Sequence, residues 1–206
     1  MTRLWPQNVA AASVRTAGVT AVAQTPTRGR RWLPARISAL ALGVGLCVAT
    51  SAGAANAKSH STALRPLERS VLTEMNGLRR EHGLLPLRLY TGLAAAARHH
   101  STEMAKRGYF HHNSASGEPF GRRIARFYET GSYNSWSVGE NLLWSSAELN
   151  AAAALDLWLN SREHRAILLK ANWRDVGVGA VYARSAPGVY GGRDVTIVTA
   201  DFGVRR

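Results

Sequence analysis

The chain has 206 residues, 46% of them hydrophobic and 19% charged, which excludes a disordered or collagen-like protein and fits one globular domain plus an appendage. A single cysteine, Cys47, excludes a disulfide framework and a cysteine-rich zinc site. The net charge of +13 is unevenly spread: all 13 acids lie after residue 57, where 20 bases face them and leave +7.

Residues 28–36 read Arg-Gly-Arg-Arg-Trp-Leu-Pro-Ala-Arg, and no charge follows from Ile37 to Thr50. Small residues then lead to Ala55-Asn56-Ala57. A basic region, a short apolar run and an Ala-x-Ala site are the three parts of a secretory signal, and they predict cleavage before Lys58. A retained anchor is the alternative, disfavoured because the run falls short of the ~20 apolar residues a bilayer requires. Cys47 leaves with the signal, so the exported protein is cysteine-free, secreted or periplasmic, with no transmembrane segment after cleavage. The organisation expected is an N-terminal extension and signal peptide over 1–57, a linker over 58–66 and one domain over 67–204.

Within that domain, Leu67, Val71, Leu72, Met75 and Leu78 recur at helical spacing from Pro66 to His82, and Gly83 is a natural stop. Thr91 caps a second predicted helix, Gly92 to Arg107, ended by Gly108; its run Ala94 to Ala97 lets a neighbouring element approach closely. A third helix is expected at about Phe120 to Glu129, and Gly131 to Ser137 reads as an exposed loop. Ser145 or Ser146 is the expected cap of a fourth helix, about Glu148 to Asn160, with Ala152, Leu155 and Trp158 inward. Val176–Tyr182 and Asp194–Phe202 are β-branched and alternating, and the turn at Ala186–Gly192 joins them as an antiparallel hairpin. Helices first and strands late predict an α+β layered domain.

Three polar positions stand in apolar settings. Tyr109-Phe110-His111-His112-Asn113-Ser114 follows the second helix, Gly139-Glu140-Asn141-Leu142-Leu143 puts a carboxylate before an apolar run, and His164 follows Trp158-Leu-Asn-Ser-Arg-Glu just past a helix end. Imidazole and carboxylate suit a divalent ion such as Zn²⁺, or proton transfer near neutral pH. Each also has a structural reading: a histidine after a helix often caps it, and Gly-Glu-Asn often forms a turn bonded to backbone amides. His100 with Glu103, and His99 with Glu103, read as helix-surface or packing pairs. Ser161, three before His164, reads as a local cap more readily than as a nucleophile. Trp136 and Trp144 flank Glu140 and are candidate cleft walls, whereas Trp158 reads as core. Arg122, Arg123 and Arg126 crowd one short helix, and Arg205-Arg206 end the chain. They read as a solvated basic face, with contact to an anionic cell surface as the alternative.

Taken in order, these segments resemble the CAP superfamily of SCP-like extracellular proteins, which includes cysteine-rich secretory proteins, venom antigens and pathogenesis-related proteins. The likeness runs from about Val71 to Gly203. It rests on Met75–Gly83 with Leu84-Leu-Pro-Leu, Ala95–Ala105, Phe110–Ser114, Gly139–Leu142, Trp158–Arg165 and Val176–Gly179. The resemblance implies a three-layer α-β-α sandwich with a small antiparallel sheet, and a cleft in which His112, Glu140 and His164 converge. Its paired aromatics select His112 over His111. Two departures mark the short bacterial type: the tetrad's second Glu is replaced by Ser161, and the cysteine-bearing segment around the second histidine is missing. The function this implies is an exported protein that binds a lipid or glycan and holds a divalent ion, Zn²⁺, on His112 and His164. The alternative is a secreted metal-dependent hydrolase, a peptidase or cell-wall enzyme, with Glu140 as base. Nucleic acid is not an expected partner of an exported chain.

Overall fold

The computed structural model describes residues 65–129 and 131–206, so the export signal predicted before Lys58 lies outside the described residues. Helix α1 is Pro66–Glu81, with proline at the position where its missing N–H costs nothing. A two-residue strand β1, Arg88–Leu89, leads into α2, Thr91–Arg107, and α3 is Phe120–Ala125. Strand β2 is Trp136–Ser145; α4 is Ala151–Leu159 and α5 is Arg162–Leu168. Strands β3, Asp175–Ala186, and β4, Arg193–Arg205, close the chain around a single 3₁₀ turn, Gly188–Tyr190.

The strands form one sheet in the order β1-β3-β4-β2. β3 and β2 each run antiparallel to β4, while β1 runs parallel to β3, so the sheet is mixed rather than antiparallel. Alternation along the strands separates two faces. Val176, Val178, Ala180, Val198, Ala200 and Phe202 meet Val71 and Met75 of α1, Leu155 and Trp158 of α4 and Leu168 of α5. The opposite face is covered by Leu93, Met104 and Ala105 of α2 and by Phe120 and Ile124 of α3. Helices on both faces of a small sheet make the α-β-α sandwich.

Small residues set the depth of α2. A Cβ at Gly177 would lie 2.0 Å from the backbone of Leu93 and Ala94, and one at Gly179 would lie 2.2 Å from the Arg98 amide nitrogen. The Ala94–Ala97 run and these glycines together let helix backbone rest on strand backbone. Glu68 covers the free edge of β3: its carboxylate accepts from the Ala180 amide at 3.1 Å and from Arg98 at 2.6 Å.

The structure corrects several expectations. β2 occupies a stretch read as loop before Ser137 and left unassigned beyond it, and α5 lies where His164 was placed past a helix end. Helix α4 is capped by Asn150, which accepts from the Ala153 amide, rather than by Ser145 or Ser146. Ala152 is exposed, and Ala151 and Ala154 take the inward positions. Helix α3 stops four residues before Glu129, and α2 begins at Thr91 with Tyr90 in the cap position.

Candidate functional site

The segment 109–114 is fixed residue by residue. Gly108 ends α2 in the left-handed conformation, φ 71°, and its carbonyl accepts from the Val189 amide at 2.9 Å. Three of the following carbonyls are held by side chains: Tyr190 Oη donates to the Tyr109 carbonyl at 2.8 Å, and His100 Nε2 lies 2.9 Å from the His111 carbonyl. Arg123 Nη1 donates to the His112 carbonyl at 2.7 Å. His111 turns outward and is exposed, with its Nδ1 accepting from the Asn113 amide. His112 turns inward, its side chain 12% exposed, and its Nδ1 lies 2.8 Å from Glu140 Oε1.

Glu140 sits in β2 on the α2/α3 face and is fully buried. Its second oxygen, Oε2, accepts from Arg123 Nη2. Arg123, from α3, is itself fully buried, and Glu140 pairs in register with Asp201 of β4, a third fully buried charged residue. Burial raises the proton affinity of both carboxyls, opposed by the positive charge of Arg123. Burial also lowers His112 to about 4, reinforced by Arg123, so the imidazole is neutral at pH 7. A neutral His112 that donates from Nδ1 to Glu140 has its lone pair on Nε2.

His164 comes from the other side of β2. Ser161 caps α5 by accepting from the His164 amide at 3.4 Å, and Asn141 Nδ2 donates to the His164 carbonyl at 3.0 Å. Its ring is buried, with Nδ1 bonded to nothing among the described residues. Burial, then the neighbouring His112, lowers its basicity. The two histidines therefore feel each other, and both present neutral rings.

The remaining candidates have structural roles. His100 is buried against the His111 carbonyl, with Nδ1 3.9 Å from Glu103, which also accepts from the Tyr109 hydroxyl at 2.7 Å and lies 3.8 Å from Arg107 Nε. His99 is exposed beside Phe127. Ser161 is a helix cap. Trp136 packs into the Leu93–Ile124–Val138 cluster and Trp144 stacks edge-on against Tyr190 at 5.2 Å, while Trp158 is core and donates to the Leu142 carbonyl. Of the basic cluster, Arg122 is exposed and Arg126 pairs with Glu118 at 2.8 Å. Arg205 lies over the rings of Tyr128 and Tyr90, 4.2 and 4.8 Å from their centroids.

Arg123 and Asp201 are the site residues that sequence reading missed. Arg123 was placed on a solvated face with its neighbours, and nothing in their spacing separates it from Arg122. Asp201 carried a usable signal: a lone acid between Ala200 and Phe202, inside a β-branched strand.

These two residues decide what the cleft offers a metal ion. Glu140 spends one oxygen on His112 and the other on Arg123. A guanidinium beside the carboxylate also opposes a dication. Among the described residues no group of three or more His, Cys, Asp or Glu is arranged to hold a metal. Two imidazoles remain, one donor short of the three protein ligands that catalytic zinc centres use. A zinc ion at this site would rest on the two imidazoles of His112 and His164, with Glu140 committed to His112 and Arg123.

A family model described as CAP, the cysteine-rich secretory protein family, matches residues 72–202. An uncharacterized protein of Bacillus subtilis (strain 168), YkwD, is 30% identical over 145 residues, 66% of this chain and 53% of that relative. The chain thus spans about half the length of this curated relative. An extracellular protein containing a SCP domain from Bacillus anthracis str. Ames superposes with a TM-score of 0.52 and 27% identity, over 70% of this chain and 45% of that one. An outer surface protein from Borrelia burgdorferi superposes with a TM-score of 0.51 and 20% identity, over 67% of this chain and 92% of that one, a likeness of fold alone. With an α-β-α sandwich and a matching family model over residues 72–202, the chain belongs to the CAP family.

Proposed function

We propose that this is an exported CAP-domain binding protein whose cleft recognises the polar group of an extracellular lipid or glycan through the neutral imidazoles of His112 and His164. The observation that carries this reading is the state of Glu140. It is fully buried and both its oxygens accept hydrogen bonds, so it is withdrawn from the role of a base that activates water. Without that base, and with two metal donors instead of three, the hydrolase reading loses both of its chemical parts. Neutral imidazoles remain good hydrogen-bonding groups for hydroxyl, amide and carboxyl functions.

Export is supported by the signal read before Lys58 and by the likeness to a SCP-domain protein described as extracellular. No helix among the described residues is long and apolar enough to cross a membrane.

The test follows the histidine ring resonances of the purified protein by NMR. A long-chain fatty acid and a β-1,4-linked N-acetylglucosamine oligomer are the two probes. The reading predicts that one probe moves the His112 and His164 rings together, with no product formed. Turnover of a peptide or glycan substrate that disappears in Glu140→Gln would replace it with the hydrolase.

A further inference from the structure

Asp201 is the one buried charged residue of the site with no donor in place. Both of its oxygens are buried and neither accepts a hydrogen bond from an N–H or O–H among the described residues. Its cross-strand partner is Glu140, on the same face of the sheet and equally buried. Around the two carboxyls lie Arg123 from α3, His112 from the segment after α2 and, beyond them on α2, the buried His100. Arg123 is the single cation of the group, since burial holds both imidazoles neutral. Two ionised carboxylates facing one guanidinium would leave an uncompensated charge in a buried site, and two like charges on adjacent strands repel. One proton on the pair removes both problems.

The hydrogen bonds say which carboxyl carries it. Glu140 accepts from His112 on one oxygen and Arg123 on the other, and donors of this kind favour the ionised form. Asp201 receives no such donor.

We propose that Asp201 is a positioning residue of the cleft: its carboxyl keeps a proton at neutral pH and donates it to Glu140 across the β2–β4 pair. Glu140 is then held by three donors, from Asp201, Arg123 and His112. It remains ionised and cannot rotate away from His112, whose Nδ1–H is fixed toward it and whose Nε2 is presented to the cleft. The direction of the raised Asp201 proton affinity agrees with this arrangement. The inference rests on the geometry of the site and stands whatever the cleft binds.

The test needs no ligand and begins with the unaltered chain. Infrared spectra at pH 7 are compared between protein with ordinary aspartate and protein with aspartate labelled by carbon-13 at its carboxyl. A protonated-carboxyl C=O stretch that moves with the label, and is lost in Asp201→Asn, is the result expected. Only carboxylate bands from the labelled positions would overturn the proposal.

A second readout separates positioning from simple packing. Asparagine keeps a donor at this position, so Asp201→Asn is expected to leave the His112 ring resonances and their titration unchanged, whereas Asp201→Ala moves them. If Asp201 is ionised instead, Asp201→Asn removes a negative charge near His112 and lowers its proton affinity by about tenfold, one pKa unit. That shift would also overturn the proposal.

Discussion

The two faces of the sheet are built from alternate residues of the same strands, yet only one of them buries a charged cluster, Arg123, Glu140 and Asp201, among its apolar residues. Beneath α1, α4 and α5, strands β3 and β4 contribute Val176, Val178, Val198, Ala200 and Phe202, all fully buried. Beneath α2 and α3, Val138, Leu142, Val195 and Ile197 keep apolar packing, but the positions between them include Gly177, Gly179, Thr199 and Asp201, with Glu140 beside them on β2. The first face stabilises the domain by apolar burial and can be described one contact at a time. The second adds to its apolar clusters a close approach of backbones and a buried polar network around Glu140, whose members depend on one another. His112, 12% exposed, is the outermost member of that buried network, ahead of the fully buried Glu140 and Arg123.

The comparison breaks most visibly with a matched pair of substitutions. Arg123→Met leaves Glu140 buried without its counter-charge and is expected to cost about 3–5 kcal/mol. Phe202→Ala, one residue from Asp201 but on the apolar face, is expected to cost a similar ~3–5 kcal/mol through the cavity it leaves. Denaturant titration measures both. Only the first should alter the His112 ring resonances in protein that remains folded; equal disturbance by both would erase the distinction between the faces.

Next in size is Gly177→Ala. The added methyl group must displace α2 backbone, at about 3 kcal/mol, because there is no flexible side chain to yield. A change within experimental error would mean that α2 does not bear on β3.

The pH dependence sharpens the contrast. Burial lowers His112 to about 4 and His100 to about 2, from 6.5. Below pH 6.5 the unfolded chain therefore takes up protons that the fold refuses, and stability falls as pH drops toward these values. The raised carboxyls of Glu140 and Asp201 act in the opposite sense. Their contribution is fully present below their ordinary proton affinities and is lost as pH rises through the raised ones. Asp201→Asn removes part of that opposing contribution, so its urea midpoint should fall more steeply than the parent's between pH 6.5 and about 4. A parallel or shallower fall would contradict the sign. The smallest effect belongs to Ser161→Ala. Loss of the α5 cap should cost about 1 kcal/mol and move the His164 resonances while leaving His112 in place.

The apolar face was legible in the sequence because it obeys simple periods. Val71 and Met75 recur at helical spacing, and Val176, Val178 and Ala180 alternate. The polar face follows no such rule. Strand β2 is buried on both sides from Val138 to Leu143, so Gly139-Glu140-Asn141 shows no alternation and resembles a turn. Helix α5 was hidden because Asn160-Ser161 reads as the end of one helix, while it also caps the next. The meeting of His112 with Glu140 followed from family resemblance rather than spacing. The burial of Arg123 depends on which face of a six-residue helix turns inward, and so short a helix shows no periodicity to read.

Glu140 is withdrawn into the network, which among the described residues leaves the imidazoles of His112 and His164 to meet a metal ion. A calorimetric titration of the protein with Zn²⁺ at pH 7, beside His112→Ala and His164→Ala, tests this most directly. The account predicts no tight stoichiometric binding by the parent and the same weak heats from both variants. One ion bound tightly per chain, and lost in both variants, would contradict it, because Glu140 or another donor would then have to leave the network and join the metal.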